Sequence, residues 1–197
     1  MKPKTKQLIR KAIYCILFLL MIGAFIYLSE KYTDDDEDKV ITITDYYKQI
    51  ENDKYEIIRG TDLISLLKSG TGIIYIGSST STAAQKYIEK LELIIKNDEI
   101  DKIYYYDINN DKVQKNSNYY EIRDLLKGYL ITTDGSENNL LAPSLYIIKD
   151  GKVKYYNIQT VAMKNTDDIE KYWTPDVESE FISEVSTAIN KYYLNND

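Results

Sequence analysis

The sequence predicts an α/β domain, a central mixed sheet flanked by helices in three layers, preceded by one N-terminal transmembrane helix. Three observations predict it. An apolar run at residues 12–28 stands between a basic and an acidic flank. Short β-branched and tyrosine-rich runs then alternate with amphipathic stretches of helical spacing. Near the end, two strand-like runs flank Lys149-Asp150-Gly151-Lys152, and Asp-Gly suits a tight hairpin.

Residues 12–28 read AIYCILFLLMIGAFIYL, roughly 17 residues and about 26 Å as a helix, the lower end of what spans a bilayer. Lys2, Lys4, Lys6, Arg10 and Lys11 precede the run; Asp34, Asp35, Asp36, Glu37 and Asp38 follow it. A basic flank stays in the cytoplasm, so the C-terminal domain is expected outside the cell membrane. A cleaved leader needs small residues at its cleavage site, and Tyr27-Leu28-Ser29-Glu30 is a poor one. A lipoprotein places its cysteine after the apolar run, whereas Cys15 sits near the start behind Tyr14 and is expected within the span. The expected organisation is a cytoplasmic basic tail over 1–11, a single-pass transmembrane helix over 12–28, an acidic self-repelling linker over 29–39 and an extracytoplasmic domain over 40–197.

Val40-Ile41-Thr42-Ile43-Thr44 reads as a short strand or extended lead-in, 45–53 as a helix and Tyr55-Glu56-Ile57-Ile58 as a strand. Thr61 is placed to cap a helix over 62–68 that ends at Gly70. Gly72-Ile73-Ile74-Tyr75-Ile76-Gly77 is a continuous apolar run of strand length, suited to a central strand buried on both faces. A polar stretch over 78–82 leads into an amphipathic helix. Thr82-x-x-Gln85 fits a capping box there, and Ala84, Tyr87, Ile88, Leu91, Ile94 and Ile95 recur at helical spacing as far as Asn97. Lys102-Ile103-Tyr104-Tyr105-Tyr106 reads as a strand, and 119–127 as a helix closed by Gly128. The hairpin strands are Ser144-Leu145-Tyr146-Ile147-Ile148 and Val153-Lys154-Tyr155-Tyr156. A last helix spans roughly 176–193 behind Pro175, with Phe181, Val185, Ala188, Ile189 and Tyr192 on its apolar face. The stretch 157–174 is long for a connection, and Trp173 in it is expected to pack on the domain.

Composition excludes several functions. The net charge is -6, and no basic patch lies beyond the first eleven residues, so no nucleic-acid partner is expected. With no histidine there is no Ser-His-Asp triad, no histidine-assisted cysteine and no histidine-containing zinc site. With Cys15 alone there is no intramolecular disulfide and no four-cysteine metal site, and no cofactor is expected. Asp107-x-Asn109-x-Asp111 opens like a calcium loop, but Lys112 replaces the required glycine and Asn118 the closing glutamate. Gly70-x-Gly72 precedes a strand instead of following one, so it is no nucleotide fingerprint.

Two segments carry a family resemblance. The stretch from Gly72 through Ser78-Ser79-Thr80-Ser81-Thr82-Ala83-Ala84-Gln85 resembles the strand-turn-helix of thioredoxin-like proteins, which carries Cys-x-x-Cys at the helix start. Leu141-Ala142-Pro143-Ser144-Leu145-Tyr146, with the hairpin behind it, is similar to that family's cis-proline strand. The resemblance covers roughly 55–193 and is nearest to the membrane-anchored members called bacteriocin transport accessory proteins.

The resemblance places the nucleophilic cysteine on Ser81 and the resolving cysteine on Ala84. The family's chemistry needs a thiolate whose pKa is lowered at a helix N-terminus. A serine hydroxyl is not ionised there, and alanine resolves nothing. Tyr75 stands where the family often keeps a buried acid. Ser81 is therefore expected to cap backbone N–H groups; as a nucleophile it lacks a histidine, and Lys86 faces another side of the helix. In the family, the residue before the proline, here Ala142, presents its backbone to an extended substrate chain. Ser79, Thr80, Ser81, Thr82, Ala83, Ala142 and Pro143 are thus the expected shallow peptide-contacting surface. The implied function is a redox-inactive, membrane-tethered accessory module for an exported peptide or membrane protein partner. The alternatives are a thiol-disulfide oxidoreductase of the parent family whose cysteine pair is lost in this copy, and a structural domain of a larger assembly.

Overall fold

The structure is a computed structural model that describes residues 20–22, 41–50, 53–96, 99–130, 139–159, 163 and 168–194. The chain divides into two units, Met1–Val40 and Ile41–Asp197. In the first unit, 20–22 are helical with Leu20 and Met21 exposed. The rest of the apolar run, the basic tail and the acidic linker lie outside the described residues. Among the described residues, no helix is long and apolar enough to cross a membrane.

The second unit is of the α/β class. Its helices are α1 (Ile43–Tyr46), α2 (Gly60–Ser69), α3 (Thr82–Ile95), α4 (Asn109–Gln114), α5 (Ser117–Leu125), α6 (Ile169–Tyr172) and α7 (Pro175–Ile189). Its strands are β1 (Tyr55–Ile57), β2 (Gly72–Gly77), β3 (Ile103–Asp107), β4 (Ser144–Lys149) and β5 (Lys152–Asn157). The sheet order is β1-β3-β2-β4-β5, with β3 parallel to both β1 and β2, and β4 antiparallel to β2 and β5. This mixed five-stranded layout is consistent with a thioredoxin-like one.

The two-residue period of the strands divides the core in two. Ile73 and Tyr75 of β2 join Ile103, Tyr105, Leu145 and Ile147 in one cluster, with Tyr47, the α3 residues Ala84, Tyr87, Ile88 and Leu91, and Phe181 and Val185 of α7. Ile74 and Ile76 join Tyr106, Tyr146 and Ile148 in the other, with Leu63 and Leu67 of α2 and Ile122 of α5. All six residues of β2 are buried, as its unbroken apolar run predicts. Each buried aliphatic side chain contributes about 1.5–3 kcal/mol, and β2 supplies three, Ile73, Ile74 and Ile76.

The β4–β5 hairpin turns through Asp150 (φ 51°) and Gly151 (φ 69°), the left-handed pair that a two-residue turn between twisted strands requires. The turn also docks on the end of α2. Gly151 N–H donates to the Gly70 carbonyl (2.8 Å) and Asp150 N–H to Thr71 Oγ1 (3.0 Å). A Cβ at Gly151 would stand 2.3 Å from the Lys68 carbonyl oxygen.

Several boundaries differ from the sequence reading. Thr42 is extended, as one of the two readings of the lead-in has it, but no strand forms there, and among the described residues the helix expected over 45–53 does not run on past Tyr46. A single turn, α1, forms instead, and Asp45 Oδ2 accepts from Thr42 N–H (2.9 Å) to hold its start. Ile43, Tyr47 and Ile50 are buried at a spacing of four and three, and this overrides the β-branched alternation around them. Arg59, not Thr61, precedes α2, because the Asp62 carboxylate reaches back to Arg59 N–H (3.1 Å). Ser81, not Thr82, caps α3. The short α4 falls in the segment weighed only as a calcium loop, for which no element was expected. Asn116 Oδ1 accepts from Tyr119 N–H (3.1 Å), so α5 starts at Ser117, and it passes into a 3-10 turn, Lys127–Tyr129, without a glycine stop. Pro175 is the first residue of α7 and not its predecessor, since its missing N–H costs nothing there.

Candidate functional site

The site expected from the sequence lies at the end of the sheet where β2 passes into α3. Here β2 has a parallel neighbour on one side and an antiparallel one on the other, the place where open α/β sheets leave a crevice at their strand ends. Gly77 pairs with Asp107, and Ile76 with Ser144. The loop over 78–81, the end of β3 and the chain entering β4 therefore meet at one level of the sheet.

Ser81 sits in extended backbone (φ -100°, ψ 121°) at the N-cap of α3, and its Oγ accepts from Ala84 N–H at 3.4 Å. Its own N–H donates to the Ser78 carbonyl (2.9 Å), and its carbonyl accepts from Gln85 N–H (3.0 Å). The hydroxyl is thus engaged in satisfying a helix terminus that would otherwise keep open donors. Ala84, one turn on, is fully buried.

Beneath Ala84 stands Tyr75. Its hydroxyl donates to the Ala84 carbonyl at 2.9 Å, and its ring stacks on Tyr87 with centroids 5.6 Å apart. Burial, with neighbouring phenols, pushes the Tyr75 hydroxyl well above its ordinary range, so it is a neutral donor at physiological pH. The centre of the site therefore presents a capping hydroxyl, a methyl group and a neutral phenol. Neither a nucleophile nor an ionised base is among these three groups.

The Ala142–Pro143 peptide bond is cis. Pro143 is buried and Ala142 half-buried. Ser144 Oγ donates to the Leu141 carbonyl (2.8 Å), closing this short turn before β4 begins. Because Ser144 pairs with Ile76, the residue before it stands at the level of Gly77, beside the start of the loop.

Two residues that sequence reasoning did not place in the site hold the loop. Asp107 Oδ2 accepts from Ser79 N–H (3.0 Å) and lies 3.1 Å from the Tyr105 hydroxyl, while Oδ1 accepts from Asn109 N–H (2.8 Å). Asn109 Oδ1 accepts from the Ser78 hydroxyl (2.8 Å), and its amide nitrogen reaches Ser79 Oγ (3.2 Å) and Thr80 Oγ1 (3.4 Å). The signal was present in the sequence as the Asp-x-Asn-x-Asp string, weighed only as a calcium loop. In the fold its members separate: Asp107 and Asn109 turn to the loop, and Asp111 accepts from the Tyr106 hydroxyl (2.6 Å) and the Asn116 amide.

Of the predicted surface, Ser79, Thr80 and Ser81 share this clasped loop, Thr82 is exposed at the first turn of α3, and Ala83 is half-buried beside the core. Ala142 and Pro143 border the loop across the β2–β4 register. An open hollow of about 600 Å³, bounded by Gln49, Asp53, Glu89, Glu92 and Lys96, lies some two turns along α3 from the loop and touches none of these residues. Comparison with protein-family models, with curated proteins and with solved structures finds no match to this chain.

Proposed function

We propose that this chain is a membrane-anchored, extracytoplasmic, thioredoxin-like protein without redox activity, a binding or accessory module for an exported peptide or a membrane protein partner. The observation that carries the reading is the occupancy of the two thiol positions. Ser81 Oγ is tied to a backbone N–H, and Ala84 is buried over the Tyr75 hydroxyl. Two-electron exchange with a disulfide needs a thiolate and a resolving thiol, and a hydroxyl and a methyl group supply neither.

What remains suits recognition. The loop over 78–80 is fixed by Asp107 and Asn109 before any ligand arrives, which lowers the ordering cost of binding. Its side-chain hydroxyls already have partners within the domain, so they offer little to a ligand's side chains. The half-buried Ala142, at the edge of the cis peptide, leaves main chain near the surface, and an extended peptide is the ligand that reads main chain. The apolar run over 12–28, with its basic flank, supports tethering with the domain outside.

The test uses the full chain in detergent or lipid nanodiscs. Insulin reduction by dithiothreitol should proceed no faster with the protein than without it. Extended peptides should shift amide resonances at 79–83 and at Ala142. Catalysed insulin reduction would refute the redox-inactive part, and silent amides at every one of these positions would refute the peptide surface.

A further inference from the structure

Phenols fill a core that leucine or isoleucine would fill without a hydroxyl to satisfy. Four rings of the cluster on the α3 side of the sheet form a continuous line. Trp173 meets Tyr87 with centroids 6.4 Å apart, Tyr87 stacks on Tyr75 at 5.6 Å, and Tyr75 lies 5.7 Å from Tyr105. Half-buried tyrosines extend both ends. Tyr172 lies 5.2 Å from Trp173, and Tyr46 lies 5.1 Å from Tyr105.

An indole and three phenols are also the side chains that give up single electrons most easily. The loss of an electron makes a phenol a strong acid, so a phenol is oxidised readily only where a base stands ready for its proton. The partners along the line differ in this respect. Trp173 Nε1 has no hydrogen-bond partner among the described residues. The Tyr87 hydroxyl donates to Asn157 Oδ1 (3.0 Å) and the Tyr75 hydroxyl to the Ala84 carbonyl (2.9 Å), and amide oxygens are weak bases. The Tyr105 hydroxyl donates to Asp107 Oδ2 at 3.1 Å, with the Tyr47 oxygen a second acceptor at 3.3 Å. A carboxylate is the strongest base among these partners, and it stands at one end.

We infer that the line conducts: an oxidation that enters at Trp173, from an oxyl radical or another one-electron oxidant, passes through Tyr87 and Tyr75 and comes to rest on Tyr105. The oxidant takes one electron from the indole and is reduced. The indole radical cation is refilled by one electron from Tyr105, by way of Tyr75 and Tyr87, while the Tyr105 phenolic proton passes to Asp107 Oδ2. The products are an intact Trp173, a neutral phenoxyl radical at Tyr105 and a protonated Asp107. A one-electron donor such as ascorbate restores the phenol, and the proton returns from Asp107. This is radical transfer within the chain, distinct from the dithiol exchange that Ser81 and Ala84 preclude, and it does not depend on the peptide-binding reading. The competing account is that the rings only pack, in which case phenylalanine serves as well as tyrosine.

The chain holds one tryptophan, so the charge can be started at a known place. Pulse radiolysis with azidyl radicals, on the full chain in detergent, oxidises the indole. All proteins carry Tyr172→Phe, which closes the exit beside Trp173. The indolyl absorption should decay and the phenoxyl absorption grow at one rate, the same at every protein concentration. Tyr75→Phe and Tyr87→Phe should each abolish this coupled step. Asp107→Asn keeps an acceptor but no base, and should abolish it too. Tyr119→Phe is the matched control: it deletes a buried phenol of the other core cluster, whose ring contact is with Tyr120, and should leave the step intact. Freeze-quenched samples of Tyr105→Phe should lose the phenoxyl signal in electron paramagnetic resonance. Phenoxyl growth that survives in both Tyr75→Phe and Tyr87→Phe would overturn the inference, as would a rate that rises with protein concentration or an undiminished signal in Tyr105→Phe.

Discussion

The Tyr75 hydroxyl donates to the Ala84 carbonyl across 2.9 Å, joining the middle of the central strand to the first turn of α3. The bond joins the two positions where the thioredoxin-like resemblance would place a buried acid and a resolving thiol. It is a fixed, neutral contact.

Tyr75→Phe keeps the stacked ring and removes one of two partners of the Ala84 carbonyl, which keeps its helical N–H four residues on. The loss of this hydrogen bond should cost about 0.5–1.5 kcal/mol, seen as a lower urea midpoint with an unchanged slope. A midpoint within error of the unsubstituted protein would show that the bond adds nothing.

Ser81→Cys combined with Ala84→Cys tests whether only the thiols are missing. The first position is at the N-cap of a 14-residue helix, where the dipole favours a thiolate. The second is fully buried, so the larger atom should cost about 1–3 kcal/mol by crowding Tyr75. The double variant should reduce insulin measurably. A double variant that folds, forms the disulfide and still fails to turn over would place the deficit in the surroundings and not in the sulfur.

Buried tyrosines set the alkaline limit of stability. Burial pushes the Tyr47 and Tyr146 hydroxyls up to about 12, and those of Tyr75, Tyr87 and Tyr105 are raised as well. In the unfolded chain these groups lose protons near 10, so above that pH the unfolded state binds fewer protons than the folded one and stability falls. The contribution is whole below pH 10 and is lost as pH rises through about 12, with Tyr47 and Tyr146 each worth up to about 2–3 kcal/mol. Urea midpoints between pH 8 and 12 should be flat and then drop. A flat profile to pH 12 would contradict the burial of these phenols.

Gly151→Ala should destabilise by about 1–3 kcal/mol, since φ is 69° and the new Cβ would meet the Lys68 carbonyl oxygen at 2.3 Å. Thermal unfolding reads it directly. Gly128→Ala is the control, because a Cβ there meets nothing within 4 Å.

The parts of the fold that the sequence announces are those with local cause. β2 is read from six consecutive apolar residues, the hairpin from Asp150-Gly151, and α3 from apolar residues at helical spacing, because each pattern is enforced by its immediate neighbours. The helical turn at Ile43 is missed because Ile41, Thr42 and Ile43 alternate like a strand, while the burial of Tyr47 that goes with the turn is supplied by Tyr105 and Tyr75, far along the chain. Asp107 escapes for the same reason. Its bond to Ser79 joins residues 28 apart, and nothing near either residue signals the other. Ser81 is legible as a cap, and Ala142–Pro143 through resemblance; the clasp that Asp107 and Asn109 place on the loop is not.

Because Ile43, Tyr47 and Ile50 belong to the core, the folding unit begins before its first strand. A chain trimmed to start at Tyr55 would bare the flanks of Tyr75 and Tyr105 and leave a sticky aromatic face on the sheet. Anyone preparing this domain apart from its N-terminal segment should cut no later than Ile41.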